Sequence, residues 1–399
     1  MKDGKDRAGK KDQPAPVNTC PAIKECGGCR YAGVSYLYSC ADKYEYVKKL
    51  MPKGCKVNDI TPCANPFHYR NKVHSGFKKL RNGRIICGPY EAGSHRIVKV
   101  DSCLIENKTA SAIIRDCADI AAKMKVSIYN EASGTGELRR VLVRVADKTG
   151  EVMVVIVTGT RFFRQKTAFI KELTKRHPEI TTVLININQR HDSMILGNET
   201  KKVTGKGYIT DILLGRKYRI SPTSFYQVNR DQAEILYSTA VRLAEFTGEE
   251  RAIDAYCGTG TTTLTFAGFT KSITGVEINP EAVNDAVKNA KANNVKNAEF
   301  VCADAVEYMT ELAETGEKID CVILDPTRLG TDERFIKACE KLSPAKIIYI
   351  SCGPDTLARD LKAFAKCGYK ARVAEPVDMF PWTSSIETVV LMTKNQKNS

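Results

Sequence analysis

Apolar positions along this 399-residue chain follow two patterns, and the pattern changes near residue 220. In the first part, LRRVLVRVADKTGEVMVVIV alternates apolar and other side chains, and the polar break from Asp147 to Gly150 splits it into two arms. Period-two alternation around a turn predicts a β-hairpin. A helical stretch begins near Lys108, TTVLININ reads as a strand, and a second hairpin is centred on Leu214 to Arg216, so this half is α+β. From Asp231 short apolar runs alternate with helices. Strands are predicted to begin near Ala252, Ile273, Glu299, Cys321, Ile347, Ala371 and Glu387, with PEAVNDAVKNAKANN and DTLARDLKAFAKCG among the helices between them. Such alternation predicts a mostly parallel, doubly wound α/β sheet with helices on both faces. The last two strands have no helix between them, which predicts an antiparallel hairpin at the end of the sheet.

Residues 1–19 hold almost no apolar side chains and are expected to form a disordered basic tail. A Cys-rich segment over residues 20–105, a central α+β unit over 106–220 and the α/β domain over 221–399 follow. No apolar run approaches the ~20 residues of a bilayer helix, and the N-terminus is charged rather than signal-like, which points to the cytoplasm and away from membranes. Fifteen cysteines in that setting are reduced core residues, metal ligands or a nucleophile rather than a disulfide framework.

Charge adds a partner. Residues 1–220 carry 41 Lys and Arg against 21 Asp and Glu, whereas the remainder is net acidic. A basic half on an otherwise ordinary globular chain is the electrostatic footprint of a polyanion, and nucleic acid fits better than lipid because nothing spans a membrane and no basic amphipathic helix is evident.

The segment AIDAYCGTG leads from a strand through Gly258 and Gly260 into a helix, the position where open α/β sheets bind small molecules. The spacing is not that of a dinucleotide fingerprint. Glu277 ends the next strand, where a carboxylate can take both ribose hydroxyls, and Asp304 ends the third, where it can meet an adenine edge. Acids at successive strand ends suit a nucleoside cofactor without pyrophosphate, and the combination resembles class I S-adenosylmethionine-dependent methyltransferases. Asp325 in LDPTRLG and Cys352 in YISCGPD end the next two strands and should lie side by side, with the thiol exposed before Gly353-Pro354.

The ordered motifs SFYQVN, DAYCGTGT, GVEINPEAV, DPTRLG, SCGPDTLARD and DMFPWTSSIE resemble the RNA uracil-C5 methyltransferases over residues 20 to about 394. The resemblance implies a Rossmann-like class I methyltransferase domain preceded by an α+β iron–sulfur and RNA-binding domain. It implies cofactor contacts at Gln227, Tyr256, Glu277 and Asp325, a nucleophile at Cys352 and a closing base at Glu387. Uracil C5 is a weak nucleophile, so a thiolate must first add to C6, and a base must later remove the C5 proton. The base would be flipped out of the RNA stack to reach the thiol. This chain departs from the usual pattern at Gly353 (often Asn), at Thr327 (often Pro), and at Trp382 and Ser385 (often His). Cytosine-C5 methylation would place Pro-Cys where DPTR stands, and amino-nitrogen methylation would favour a Pro-Pro-aromatic motif. A non-catalytic RNA-binding or assembly role is the remaining alternative, suggested only by the altered FPWTSSIE.

Cys20, Cys26 and Cys29 form C-x5-C-G-G-C. Multiple thiolates suit zinc or an iron–sulfur cluster. No second close pair points to zinc, and the radical C-x3-C-x2-C is absent. The resemblance implies a [4Fe–4S] cluster on Cys20, Cys26, Cys29 and Cys103. Lys78, Lys79, Arg81 and Arg84 lie between these ligands and are expected to face RNA. Many relatives carry an RNA-binding β-barrel before the cysteines, and none is expected ahead of Cys20 here. Cluster-bearing relatives often act on large-subunit ribosomal RNA, which makes 23S rRNA the expected substrate ahead of the tRNA T-loop. The protein is expected to act as a monomer.

Overall fold

The computed structural model describes residues 15–94, 96–192 and 194–395. The Cys-rich segment opens with one turn of helix α1 (Ile23–Cys26), helix α2 (Tyr36–Leu50) and a two-residue strand β1 (Lys56–Val57). Strands β2 (Lys72–Lys79) and β3 (Ile85–Gly88), helix α3 (Lys108–Lys123), β4 (Leu138–Val145), β5 (Val152–Thr158), helix α4 (Lys166–Arg176), β6 (Ile180–Ile187) and β7 (Glu199–Thr204) come next. They build a six-stranded sheet in the order β3-β2-β4-β5-β6-β7. Helix α3 starts at Lys108 because the Asn107 side chain accepts hydrogen bonds from the Thr109 and Ala110 amides.

The β4–β5 hairpin forms as the alternation requires. Val141, Val143, Val154 and Ile156 share one face and one core with α3 and α4. Leu142, Met153 and Val155 take the opposite face, but that face is not left to solvent, since they pack into the core of the C-terminal half. Both faces are covered, so the arginines of LRRVLVRV are buried with the valines. The second hairpin, β8 (Ile209–Leu213) and β9 (Arg216–Ile220), turns at Leu214 and Gly215, with φ of 48° and 73°. Two successive positive φ values give the turn type that matches strand twist.

The C-terminal half runs α5 (Arg230–Ala244), β10 (Arg251–Ala255), α6 (Thr261–Ala267), β11 (Ser272–Glu277), α7 (Pro280–Ala292), β12 (Ala298–Cys302), α8 (Ala305–Thr315) and β13 (Cys321–Leu324). It finishes with α9 (Glu333–Leu342), β14 (Lys346–Ser351), α10 (Pro354–Lys366), β15 (Tyr369–Val377) and β16 (Glu387–Lys394). Every predicted strand is present. The sheet order is β1-β15-β16-β14-β13-β10-β11-β12. Strands β10 to β14 are parallel, and β16 lies antiparallel to both β14 and β15. The chain leaves β10 toward β11 on one side and returns to β13 on the other, so a topological switch point lies between β10 and β13.

The Cys-rich segment is not a unit of its own. Strand β1 extends the C-terminal sheet by pairing with β15, while β2 pairs with β4, so the boundary drawn at 105/106 passes through one sheet. Backbone pairing carries no local sequence signal of partner, and a two-residue edge strand carries almost none of its existence. The first 14 residues of the expected tail lie outside the described residues. Residues 15–19 are held in place: Val17 bridges to Ser35, and Asn18 is fully buried.

The segment also grips the loop between β15 and β16. Lys43 and Asp378 form a buried ion pair at 2.6 Å, and the Tyr36 hydroxyl donates to the same carboxylate at 2.6 Å. Trp382, fully buried, lies 5.2 Å from the Tyr36 ring and 5.3 Å from Phe67, and its Nε1–H donates to the Pro66 carbonyl. Among the described residues no helix is long and apolar enough to cross a membrane.

Candidate active site

The carboxyl edge of the parallel strands gathers the residues singled out from sequence. Tyr256 follows β10 with φ 71°, and Gly258 has φ 55°. A Cβ on Gly258 would meet nothing within 4 Å, so the backbone of this turn borders open space that a ligand can fill. Glu277 braces the turn, accepting the Gly258 amide at 3.1 Å and the Asn279 amide at 2.8 Å. A carboxylate offers about four acceptor positions, so it retains capacity for ribose hydroxyls. Asp304 uses one oxygen to cap α8 through the Val306 and Glu307 amides, and its other oxygen takes no hydrogen bond among the described residues. Gln227 is buried on the loop before α5, and its carbonyl accepts from Asn71 Nδ2 at 3.1 Å.

Cys352 directly follows β14 and is half-buried. Burial pushes its thiol up to about 11, the Glu387 and Asp325 carboxylates add to this, and Arg328 opposes it. Glu387 opens β16, is buried, and has an Oε2 without a partner among the described residues. Burial, then the charge of Asp325, holds its carboxyl well above the usual range. Burial raises Asp325 to about 7. Cys352, Glu387 and Asp325 are therefore brought together, Cys352 and Asp325 as their strand ends implied, in surroundings that favour their neutral forms.

Three contributors had no role in the sequence reading. Asp254, inside β10, is fully buried and raised to about 8 by burial, with Asp325 and Glu277 adding repulsion. A carboxylate within an apolar strand was the available signal. Arg328 donates to Ser385 Oγ at 2.6 Å, so the serine that stands where relatives often have histidine receives the cation that faces the thiol. Helix α2 is the third, since Tyr46 and Lys49 line, with Arg30, Arg328 and Cys352, a cavity of about 850 Å³. Gly353 is also explained: a Cβ there would lie 2.6 Å from Thr356 Oγ1. Trp382 is explained by its place in the clamp.

Cys20, Cys26, Cys29 and Cys103 line a second cavity of about 210 Å³. Gly27 ends α1 with φ 67°, which turns the chain between Cys26 and Cys29. Burial pushes Cys29 up to about 11 and Cys103 up to about 12, and charge on Cys20 and Cys26 adds to the first. The four thiols share one cavity without closing on a point, because among the described residues no three Cys, His, Asp or Glu side chains are placed to hold a metal ion. Four thiols lining one cavity are a donor set that suits either zinc or an iron–sulfur group.

Strand order, switch point and strand-end acids define the class: a Rossmann-like class I methyltransferase domain, here with a thiol beside two carboxylates. The family profile described as tRNA (Uracil-5-)-methyltransferase matches residues 171–395. An uncharacterized RNA methyltransferase from Halalkalibacterium halodurans is 37% identical over 94% of this chain and 83% of its own length. One from Clostridium tetani is 38% identical over 94% of this chain and 82% of its own. The crystal structure of Pyrococcus abyssi tRNA (uracil-54, C5)-methyltransferase in complex with S-adenosyl-L-homocysteine aligns with a TM-score of 0.75 at 28% identity, covering 90% of this chain and 84% of that one. The chain belongs to the tRNA (uracil-5-)-methyltransferase family and is an RNA methyltransferase.

Proposed function

We propose that the protein methylates C5 of a uridine in RNA, with S-adenosylmethionine as donor and a covalent bond between Cys352 and C6 of the base. The observation that carries this reading is the half-buried thiol of Cys352, opening onto the 850 Å³ cavity beside Glu387 and Asp325. The Cys352 thiolate adds to C6 and moves the C5=C6 electron pair into an enolate. C5 takes the methyl group that the sulfonium cofactor supplies. Glu387 then removes the C5 proton, the C5=C6 bond re-forms, and the thiolate leaves. Arg328 favours the two anionic groups this sequence needs, while Asp325 orients the donor or the uracil edge. Gln227, Tyr256 and Glu277 hold the cofactor around the open turn at Gly258.

Replacement of Cys352 by alanine should abolish methyl transfer and leave cofactor binding intact. With 5-fluorouridine RNA the wild type should form a denaturation-resistant adduct, because fluorine at C5 blocks proton removal. Full activity in the alanine variant would refute the mechanism.

The four cavity-lining cysteines support a [4Fe–4S] cluster that ties the start of the chain to Cys103. The same pattern supports 23S rRNA as substrate. A tRNA T-loop uridine is the second reading, supported by the likeness to the Pyrococcus abyssi tRNA enzyme. Mass mapping of 5-methyluridine in ribosomal and transfer RNA, from cells with and without the gene, distinguishes them.

A further inference from the structure

The loop between β15 and β16 is pinned over its first half and faces the active site over its second. Its successive carbonyls from Asp378 to Trp382 all accept from outside the loop: from Gln232 Nε2, Asn229 Nδ2, Lys43 Nζ, the Tyr69 hydroxyl and the Tyr31 amide, each at 3.0 Å. Beyond Trp382, Ser384, Ser385 and Ile386 line the active-site cavity, where Arg328 holds Ser385 Oγ. Glu387 follows directly. It is the first residue of β16 and pairs with Val377 as the last rung of the hairpin, and its Oε2 has no partner among the described residues. A strand end frays more readily than a strand centre. The preceding loop therefore sets the position of this base.

Three of the five donors come from the Cys-rich segment, and two stretches of chain lead from its cysteines to Trp382. Tyr31, whose amide meets the Trp382 carbonyl, lies two residues past Cys29. On the other side, the Leu104 and Ile105 carbonyls beside Cys103 accept from the His68 and Arg70 amides. Between these two, Tyr69 reaches Pro381, while Phe67 stacks on Trp382 at 5.3 Å. Arg70 lines the cysteine cavity and stands 5.9 Å over the Phe380 ring. Cys29 and Cys103 themselves pack against the buried cluster that contains Trp382. Trp382 is held at φ 69°. A bulky residue keeps that left-handed conformation only where its surroundings over-determine it. Past the indole the connection continues inside the loop, because Thr383 Oγ1 donates to the Phe380 carbonyl and accepts the Ser385 amide.

We propose that this loop is a strut through which the cysteine-bearing segment positions Glu387, with Trp382 as the positioning residue. Loosening either stretch beside the cysteines releases Trp382 from its constrained conformation, and the displacement reaches the base through Ser385 and Ile386. The role of Glu387 in this inference rests on the proposed function.

The test uses the full chain, purified anaerobically. The protein has one tryptophan, so its emission reports Trp382 alone. Cys103→Ser removes a cavity-lining thiol, and Phe67→Leu removes the stacked ring. Each should shift the emission to longer wavelength and open the indole to iodide quenching, with S-adenosylmethionine binding retained. On ordinary uridine RNA both variants should accumulate a denaturation-resistant protein–RNA complex, because Glu387 acts only after Cys352 has added. Its release should be slowed about 10²-fold, the cost of a misplaced general base. Phe67→Tyr, which keeps the ring, should restore emission and release. If Phe67→Leu or Cys103→Ser fails to fold, Tyr69→Phe removes only hydroxyl contacts and should slow release about fivefold, the weight of one hydrogen bond. Unshifted emission in Cys103→Ser would overturn the strut, and so would a shifted emission with unchanged release or slowed turnover with no accumulated complex. Failure of the wild type to form an adduct with 5-fluorouridine RNA would instead refute the proposed function, and the emission of Cys103→Ser would still decide whether the cysteines hold Trp382.

Discussion

Replacing Glu387 with glutamine should make Cys352 more reactive toward a small electrophile while abolishing methyl transfer. The carboxylate repels a thiolate beside it, and burial, then the Glu387 charge, pushes the thiol up to about 11. Glutamine keeps the volume and removes the charge. Removing a like charge at close range lowers a thiol pKa by about one unit or more. One unit gives about ten times more thiolate at a pH where Glu387 is ionised in the wild type and the thiol is still below its midpoint. The weaker base is also a poorer nucleophile, with a Brønsted slope near 0.45, so about a threefold faster alkylation remains. The effect should grow as pH rises and Glu387 in the wild type becomes ionised, because its carboxyl is held well above the usual range. The assay is the pH dependence of iodoacetamide labelling of the Cys352 peptide, followed by mass spectrometry, since the chain has 15 cysteines. Arg328→Gln should do the reverse and slow labelling. Slower or unchanged alkylation in the Glu387 variant would show that these side chains do not interact as described.

The clamp on the loop before β16 yields a stability prediction: Lys43→Met leaves Asp378 buried without its cation and should cost about 3–5 kcal/mol in urea denaturation, whereas Lys43→Met with Asp378→Asn should recover part of that loss. For the cysteine cavity, anaerobically purified protein should be brown with about four irons per chain, and Cys103→Ser should bleach it. Zinc without iron in elemental analysis would refute that reading. The exposed cations Lys78, Lys79, Arg81 and Arg84 should add to RNA affinity from the outer hairpin. Their joint replacement by glutamine should lower the salt slope and leave S-adenosylmethionine affinity unchanged, as checked by parallel titrations.

What could be read from sequence alone was local in origin. Period-two and helical patterns are written within a few residues, so the seven C-terminal strands, both hairpins and the start of α3 were legible. Strand-end chemistry was legible for the same reason: regular β and α alternation places successive strand ends at one edge, which brought Glu277, Asp325 and Cys352 together before any contact was known. The tertiary structure decided which surfaces cover which. Alternation in β4 shows which side chains share a face, but it is silent on whether that face meets water or another domain. Arg144 therefore became a buried charge only when the C-terminal half closed over Leu142 and Val155 and brought the Ser224 carbonyl to it. Strand β1 is too short to carry a pattern, and the meeting of Lys43 with Asp378 spans 335 positions. Trp382 looked like a damaged catalytic motif for the same reason. Its role as the anchor of the Cys-rich segment depends on Tyr36 and Phe67, which chain folding brings to it from the opposite end of the protein.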